Sequence, residues 1–157
     1  MNKLFPSPER ETDRLMYALV HTARELERKY EEALAPHGLT GPKFAALSRL
    51  VRAGKPLSLG ELADELTCVR SNITQLVDRL EADGLVVRVV EPADRRTVRA
   101  EITSLGLTRQ NDGAKQVDQL LESLASSLQG LDLDAFERVL GALMNEQEGC
   151  MMKRGAA

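Results

Sequence analysis

The segment from Arg70 to Arg79 carries polar side chains whose chemistry suits contact with DNA. The candidate residues are Arg70, Ser71, Asn72, Thr74, Gln75 and Arg79. Arg, Asn and Gln side chains can make paired hydrogen bonds to base edges, while Ser and Thr can hydrogen-bond to phosphates or bases. The simpler alternative is that these side chains form the polar face of an amphipathic helix and contact only water. From this segment alone both interpretations stay open.

The same segment has the apolar periodicity of a helix. Its apolar residues follow the spacing of three, four and seven, and they are Val69, Ile73, Leu76, Val77 and Leu80. At about 100° per residue, Ser71, Thr74 and Gln75 fall on the face opposite this stripe. The sequence therefore predicts a helix over 69–82 with one buried apolar face and one polar face.

A shorter helix is predicted immediately before it. Ser58 followed three residues later by Glu61 is the capping-box pattern, which predicts a helix over 59–66. A tight turn at Thr67 and Cys68 joins the two helices. Two helices joined by such a turn, the second exposing hydrogen-bonding groups near its start, form the arrangement that places a helix in the DNA major groove.

Two strands and a basic loop are predicted after the second helix. Gly84 suits the left-handed position at a helix end, and residues 85–90 and 98–102 have strand composition or period-two alternation. The loop between them, 91–96, ends in Arg95 and Arg96. This hairpin, called the wing below, completes a winged helix-turn-helix, in which a loop arginine can reach the minor groove.

Three motifs run through this predicted module. They are Leu-x-x-x-Glu-Leu-Ala at 57–63, Leu-Val-Asp-Arg-Leu-Glu-x-x-Gly-Leu-Val at 76–86, and Asp-Arg-Arg-Thr-Val at 94–98, which leads to Ile-Thr-x-x-Gly at 102–106. Together they resemble the MarR family of bacterial transcriptional regulators. The resemblance implies that Arg96 enters the minor groove and that Asp94 orients it; the alternative is a solvated loop pair. Arg79 either contacts a phosphate or pairs with Asp94 and braces the wing, and we favour bracing.

Long amphipathic helices are predicted on both sides of the module. Apolar residues recur at helical spacing from residue 11 or 12 to 35, from 104 to 128, and again after Asp132. A further helix, capped by Thr40 and ended by Gly54, completes the module. Leu57 can add a short third strand beside the wing. Since a chain of 157 residues has no other core to cover the long stripes, we expect a homodimer.

The predicted fold class is therefore mainly α with a small β wing, a winged helix-turn-helix module flanked by long dimerisation helices. Its predicted parts are an N-terminal dimerisation helix at 1–36, the DNA-binding module at 37–103 and C-terminal dimerisation helices at 104–157, intertwined as one domain. The resemblance implies that the first helix and the last two interlock with those of a second subunit.

Composition limits the partners and the compartment. The formal net charge of −3 argues against a protein that coats nucleic acid passively, so DNA contacts are expected to be few and placed. The sequence has no apolar run long enough for a signal peptide or a membrane span, so a cytoplasmic protein with no membrane partner is expected. Cys68 and Cys150 have no metal-ligand spacing, and His21 and His37 are isolated. No metal site and no cofactor are expected.

Two further candidate sites have less specific signals. The resemblance implies a pocket for small aromatic acids or other phenolic compounds between the dimer helices and the DNA-binding module, and the candidate lining residues are Tyr17, His21, Arg24, Tyr30, His37 and Phe44. These residues are as easily packing and surface residues. Cys68 precedes the predicted recognition helix, where helix N–H groups could lower a thiol pKa and make it oxidisable. A small apolar structural cysteine is the favoured alternative.

These patterns predict a transcriptional regulator that binds specific DNA sequences. The expected form is a homodimeric repressor on an inverted-repeat operator, released by a small phenolic or aromatic-acid effector. The alternatives are a redox-responsive regulator acting through Cys68 and a winged-helix interaction module that does not bind DNA. An enzyme is not expected, because the sequence has no glycine-rich cofactor loop and no Ser/His/Asp, Cys/His or paired-carboxylate constellation.

Overall fold

The structure is a computed structural model that describes residues 11–66, 70–91 and 94–152. For residues 70–71, 91, 94–97 and 144–152 it describes the backbone alone. The helices in this part of the chain are α1 (Glu11–Leu34), α2 (Gly41–Ala53), α3 (Leu59–Glu65), α4 (Arg70–Ala82), α5 (Ser104–Ala125) and α6 (Leu133–Met152). The strands are β1 (Leu57–Ser58), β2 (Val86–Glu91) and β3 (Asp94–Ile102). The predicted class, mainly α with a small β wing, is confirmed.

The three strands form one antiparallel sheet in the order β1-β3-β2. Leu57 pairs with Ala100, so the short third strand predicted beside the wing is confirmed. In the hairpin, Val86 pairs with Ile102 and Val90 with Val98. The pairing then becomes irregular, and Glu91 faces Asp94.

The hairpin corrects the predicted loop at 91–96. Strand β3 begins at Asp94, so Asp94, Arg95 and Arg96 belong to a strand and not to the loop. The physical reason is that β2 and β3 pair once more at Glu91 and Asp94, after an irregularity that follows Val90, within the segment whose composition had indicated a turn. Residues 92–93, which join the strands, lie outside the described residues.

The core lies where α2, α3 and α4 pack on the sheet. Its fully buried side chains include Leu47, Leu62, Ile73, Leu80 and Leu85, with Leu34 added from the end of α1. Burying each such side chain contributes about 1.5–3 kcal/mol relative to leaving it exposed. The helix-turn-helix and the wing therefore share one core, and that core holds the exposed surface of α4 in a defined position.

The start of α2 is capped by a residue from another helix. Thr40 occupies the N-cap position as predicted, but its side chain makes no capping hydrogen bond. Glu31 of α1 instead accepts a hydrogen bond from the Gly41 backbone N–H, at 2.8 Å. The predicted N-cap position was therefore correct, but the prediction that the Thr40 side chain caps the helix was wrong. The hydrogen bond from Gly41 to Glu31 joins α1 to the first helix of the module.

The start of α5 is fixed against the turn between α4 and β2. The Thr103 hydroxyl donates to the carbonyl oxygen of Gly84 at 2.7 Å and accepts from the Gly106 N–H at 3.0 Å, which confirms Thr103 as the predicted cap. A Cβ added to Gly106 would lie 2.1 Å from the Leu85 carbonyl oxygen. Glycine is therefore required where α5 crosses this turn.

The chain divides into two compact units at Leu120 and Leu121, within α5. The second unit contains the end of α5 and α6, whose start is capped by Asp132 through the Ala135 N–H at 2.9 Å, as predicted. No helix in the described part of the chain is long and apolar enough to cross a membrane.

Candidate nucleic-acid interface

Helix α4 presents the polar face that its periodicity predicts. Ile73, Val77 and Leu80 are buried in the core, while Asn72, Thr74, Gln75 and Arg79 are exposed. The side chains of Arg70 and Ser71 lie outside the described residues, as does Val69. The described part of this face therefore carries side chains that can donate and accept hydrogen bonds. The opposite face of the helix is packed against the core.

Helix α3, which precedes α4, begins with the predicted capping box. The Ser58 hydroxyl accepts from the Glu61 N–H at 3.2 Å, and the Glu61 carboxylate accepts from the Ser58 N–H at 2.7 Å. The Ser58 N–H hydrogen bond is the largest of the causes that lower the pKa of Glu61, followed by the Ser58 side chain. Arg99 of β3 donates to the same carboxylate at 2.8 Å, so the wing strand is joined to the start of the helix-turn-helix.

Arg88 joins α4 to the wing, a role that was not predicted from the sequence. Its guanidinium donates to Asp78 at 2.5 Å and to Glu81 at 2.6 Å, both on α4. The hydrogen bond with Asp78 is the largest of the causes that raise the pKa of Arg88, while burial acts in the opposite direction. A single arginine within the apolar run of residues 86–90 was the available signal, because a strand arginine facing a core needs an acidic partner.

The wing arginines are described only by their backbone. Asp94, Arg95 and Arg96 lie in β3, which continues the hairpin away from the core, and their side chains lie outside the described residues. The predicted bracing of the wing by Arg79 and Asp94 therefore stays a prediction. The structure does show that the backbone of Arg96 belongs to the hairpin that Arg88 joins to α4.

Several acidic side chains of the module have basic partners close by. Besides the partners of Arg88 and Arg99, Asp83 pairs with Lys43 at 2.5 Å and Glu65 pairs with Arg52 at 2.6 Å. Such pairs contribute little stability at an exposed surface, about 0–1 kcal/mol each. They do lower the local negative potential, so a chain of net charge −3 can still bring this module close to a polyanion.

The six candidate residues for an effector pocket do not form one cluster. Tyr30 and Phe44 pack edge to face, with ring centroids 6.2 Å apart, and burial raises the pKa of Tyr30, with a smaller contribution from Glu31. His21 lies about 180° around α1 from Tyr30, at roughly 100° per residue. The exposed side chains of Tyr17, His21 and Arg24 share that other face, and His37 is half-buried in the turn after α1.

A groove of about 640 Å³ lies elsewhere, where the end of α2 meets α3 and β1. Its lining includes Arg52, Lys55, Glu61 and Glu65, and none of the six candidate residues. Cys68 lies outside the described residues, and so does the side chain of Cys150. In the part of the chain that is described, no cluster of three or more His, Cys, Asp or Glu side chains is placed to hold a metal ion.

Comparison with known proteins gives a consistent set of relatives. A sequence model of the MarR family matches residues 37–97. The uncharacterized HTH-type transcriptional regulator YsmB of Bacillus subtilis (strain 168) is 30% identical over 131 residues, which cover 83% of this chain and 89% of that protein.

Solved structures share the fold over most of the chain. The organohalide-sensing transcriptional regulator RdhR, bound to 2,4-dichlorophenol, superposes with a TM-score of 0.76 at 19% identity and covers 93% of this chain and 89% of its own. A mutant of MepR from S. aureus, bound to an oligodeoxyribonucleotide, has a TM-score of 0.59 at 19% identity and covers 87% and 97%. The winged helix-turn-helix geometry, the family match over the module and the identity to YsmB lead to one conclusion: the chain belongs to the MarR family of transcriptional regulators.

Proposed function

We propose that this regulator is a homodimeric repressor that binds an inverted-repeat operator and is released by a small phenolic or aromatic-acid ligand. The observation that carries the DNA-binding part is the exposed polar face of α4, held against the wing by Arg88. The proposed contact residues are Arg70, Ser71, Asn72, Thr74, Gln75, Arg79, Asp94, Arg95 and Arg96. Helix α4 would lie in the major groove and the end of the wing in the adjacent minor groove.

The homodimer is supported by apolar side chains left exposed at both ends of the chain. In α1 they include Leu15 and Val20, and in α6 they include Phe136 and Val139. Exposed apolar residues in this number are typical of an interface between subunits. We therefore infer the predicted division into dimerisation segments 1–36 and 104–157 around a DNA-binding module at 37–103.

A dimer of this kind sets the form of the operator. Two α4 helices related by a two-fold axis would enter successive major grooves about 34 Å apart, which requires two half-sites in inverted orientation. Because it would bind the chromosome, we propose that this regulator acts in the cytoplasm.

The effector proposal rests on the aromatic contact between Tyr30 and Phe44, which joins α1 to α2. The fold neighbour RdhR binds 2,4-dichlorophenol. A ligand releases DNA only if it binds better to a dimer whose recognition helices are misplaced. A ligand inserted near these rings would act on the junction between the long first helix and the module.

Fluorescence anisotropy with a labelled fragment of the protein's own promoter tests the DNA-binding proposal. At about 150 mM salt the dimer is expected to bind this fragment at least roughly a thousandfold more tightly than random DNA of equal length. Equal affinities would favour the alternative, a winged-helix interaction module that does not bind DNA. Titrating simple phenols and aromatic acids into the preformed complex tests the effector, and complexes that resist every compound would contradict that part alone.

A further inference from the structure

Two exposed valines are the outermost described side chains on the inner face of the hairpin. Val90 of β2 and Val98 of β3 are paired across the hairpin, and 55% and 37% of their surfaces are exposed. We call this pair the wing patch. Apolar side chains on a strand are usually placed against a core, so an exposed pair at the end of a core-facing row calls for a partner.

The register shows which way this face is turned. Side chains alternate along a strand, so Val86, Arg88 and Val90 share one face with Ala100 and Val98. At the base of the hairpin this face is buried in the core, as Val86 and Ala100 show. In the middle Arg88 reaches Asp78 and Glu81 of α4. The wing patch follows about 7 Å further along β2, beyond the reach of the core.

The wing patch therefore lies between two surfaces that are proposed to enter different grooves. With the polar face of α4 in the major groove and the end of the hairpin in the minor groove, the protein must cross the sugar–phosphate backbone that separates them. Phosphates in this strand would be met by basic side chains. Arg88 already donates hydrogen bonds to two carboxylates of α4. The two valines can make only apolar contacts, and the carbon-bound hydrogens of deoxyribose offer a surface for such contacts.

We propose that the wing patch packs against deoxyribose groups of the backbone strand that separates the groove read by α4 from the groove entered by the wing. This inference rests on the proposed DNA-binding function and adds two contact residues without charge. The contact would add apolar area where the protein crosses this strand, and it would leave the charged contacts of the wing unchanged.

A pair of threonine substitutions tests the proposal in the full-length protein. Thr keeps the branched shape and the strand preference of Val while replacing a methyl group by a hydroxyl. The double variant Val90→Thr/Val98→Thr is expected to bind the promoter fragment about tenfold more weakly, since it loses one buried methyl-sized group at each of two positions. The slope of log affinity against log salt should stay unchanged, because no charge is removed.

Val87→Thr is the matched control. Val87 lies on β2 with 44% of its surface exposed, but its register places it on the opposite face of the sheet. The affinity of the Val87→Thr variant for the promoter fragment is expected to stay within about twofold of that of the original protein. The variant Val90→Ile/Val98→Ile keeps the patch apolar and should retain affinity, so the test does not depend on the Thr pair alone.

The outcomes separate the two proposals. If the original protein prefers its promoter but the Thr pair behaves like Val87→Thr, the wing patch does not contact DNA and the proposed function stands. A lowered salt slope in the Thr pair would also overturn the proposal, because it would mean that the arginines had moved. If the Thr pair changes the molecular mass in sedimentation and not the affinity, the patch contacts another copy of the chain. If the original protein shows no preference for its promoter, both proposals fail.

Discussion

Arg96 is the residue on which the proposed minor-groove contact depends most directly. Its backbone belongs to β3, so the hairpin limits where that backbone can lie. A narrow minor groove concentrates negative potential, and an arginine placed there gains more than one at an open phosphate. The other residues of the proposed interface, such as Asn72 and Gln75, are exposed hydrogen-bonding groups on α4 and would contribute specificity.

Replacing Arg96 by Ala should weaken binding to every DNA sequence. The loss of one cation at the DNA is also expected to lower the slope of log affinity against log salt by about one. Anisotropy titrations at several salt concentrations measure both quantities. Lys115→Ala is the matched control, since it removes one positive charge from α5, where Lys115 is 71% exposed and paired with Asp112. If Arg96→Ala has the same affinity and the same salt slope as this control, the wing does not contribute to DNA binding.

At the scale of elements, the arrangement of α4, α3 and the wing depends on polar contacts that cross between them. Arg88 joins α4 to β2, and Arg99 joins β3 to the cap of α3. These contacts surround a shared apolar core, which supplies most of the stability. The polar contacts add direction, because each guanidinium holds its partner in one geometry.

Arg88→Met should reduce DNA affinity more than it reduces stability. The free energy of unfolding is expected to fall by about 1 kcal/mol, the scale of a partly exposed ion pair, as measured by urea denaturation. Affinity should fall further because α4 and the wing lose their fixed relation. Arg88→Lys keeps the charge and reaches one carboxylate at a time, so it should show an intermediate affinity.

Arg28→Met serves as the control for this change. Arg28 also bonds two carboxylates, Glu25 and Glu32, but all three lie within α1 and are exposed. Its loss should leave DNA affinity unchanged, and sedimentation velocity should show the mass of the original protein. If Arg28→Met and Arg88→Met lower the affinity equally, the contact between α4 and the wing has no specific role.

The capping box of α3 should make stability depend on pH. The pKa of Glu61 is held below its ordinary value of 4.5 by hydrogen bonds from Ser58, the backbone N–H first. Its ionised form therefore stabilises the folded state above pH 4.5, and this contribution is lost as the pH falls through the lower folded value. Glu61→Gln keeps a capping side chain without the charge. The advantage of the original protein over this variant, measured by urea denaturation, should shrink between about pH 7 and about pH 3. A constant difference would contradict the assignment.

At the scale of the whole molecule, the apolar side chains of α1 and α6 are the strongest sign of a second subunit. Leu15 is 65% exposed and Val139 is 56% exposed, although each lies on a helix with clear amphipathic spacing. A chain that folded to completion alone would bury more of such a stripe. The second copy proposed here would cover it and bring two DNA-binding modules onto one duplex.

Leu15→Glu and Val139→Glu, each made separately, should convert the dimer to monomers at micromolar concentration. Placing a carboxylate in an apolar interface costs several kcal/mol unless it is paired. Sedimentation velocity should show the lower mass, and operator affinity should fall because one module alone reads one half-site. Val51→Glu, on an exposed position of α2, should leave the mass unchanged. Dimers that persist in both Glu variants would contradict an interface built from these helices.

The sequence by itself determined the helices, the capping box of α3 and the polar face of α4, because these features depend on residues within about four positions of one another. Only the tertiary structure decided the cap of α2 by Glu31, the contact of Arg88 with α4 and the extension of β3 to Asp94. The physical reason is that the partners of long polar side chains and of strand ends lie on other elements, so they depend on how those elements pack. Several elements of this chain carry carboxylates, and the packing of the elements determines which carboxylate lies within hydrogen-bond distance of a given arginine.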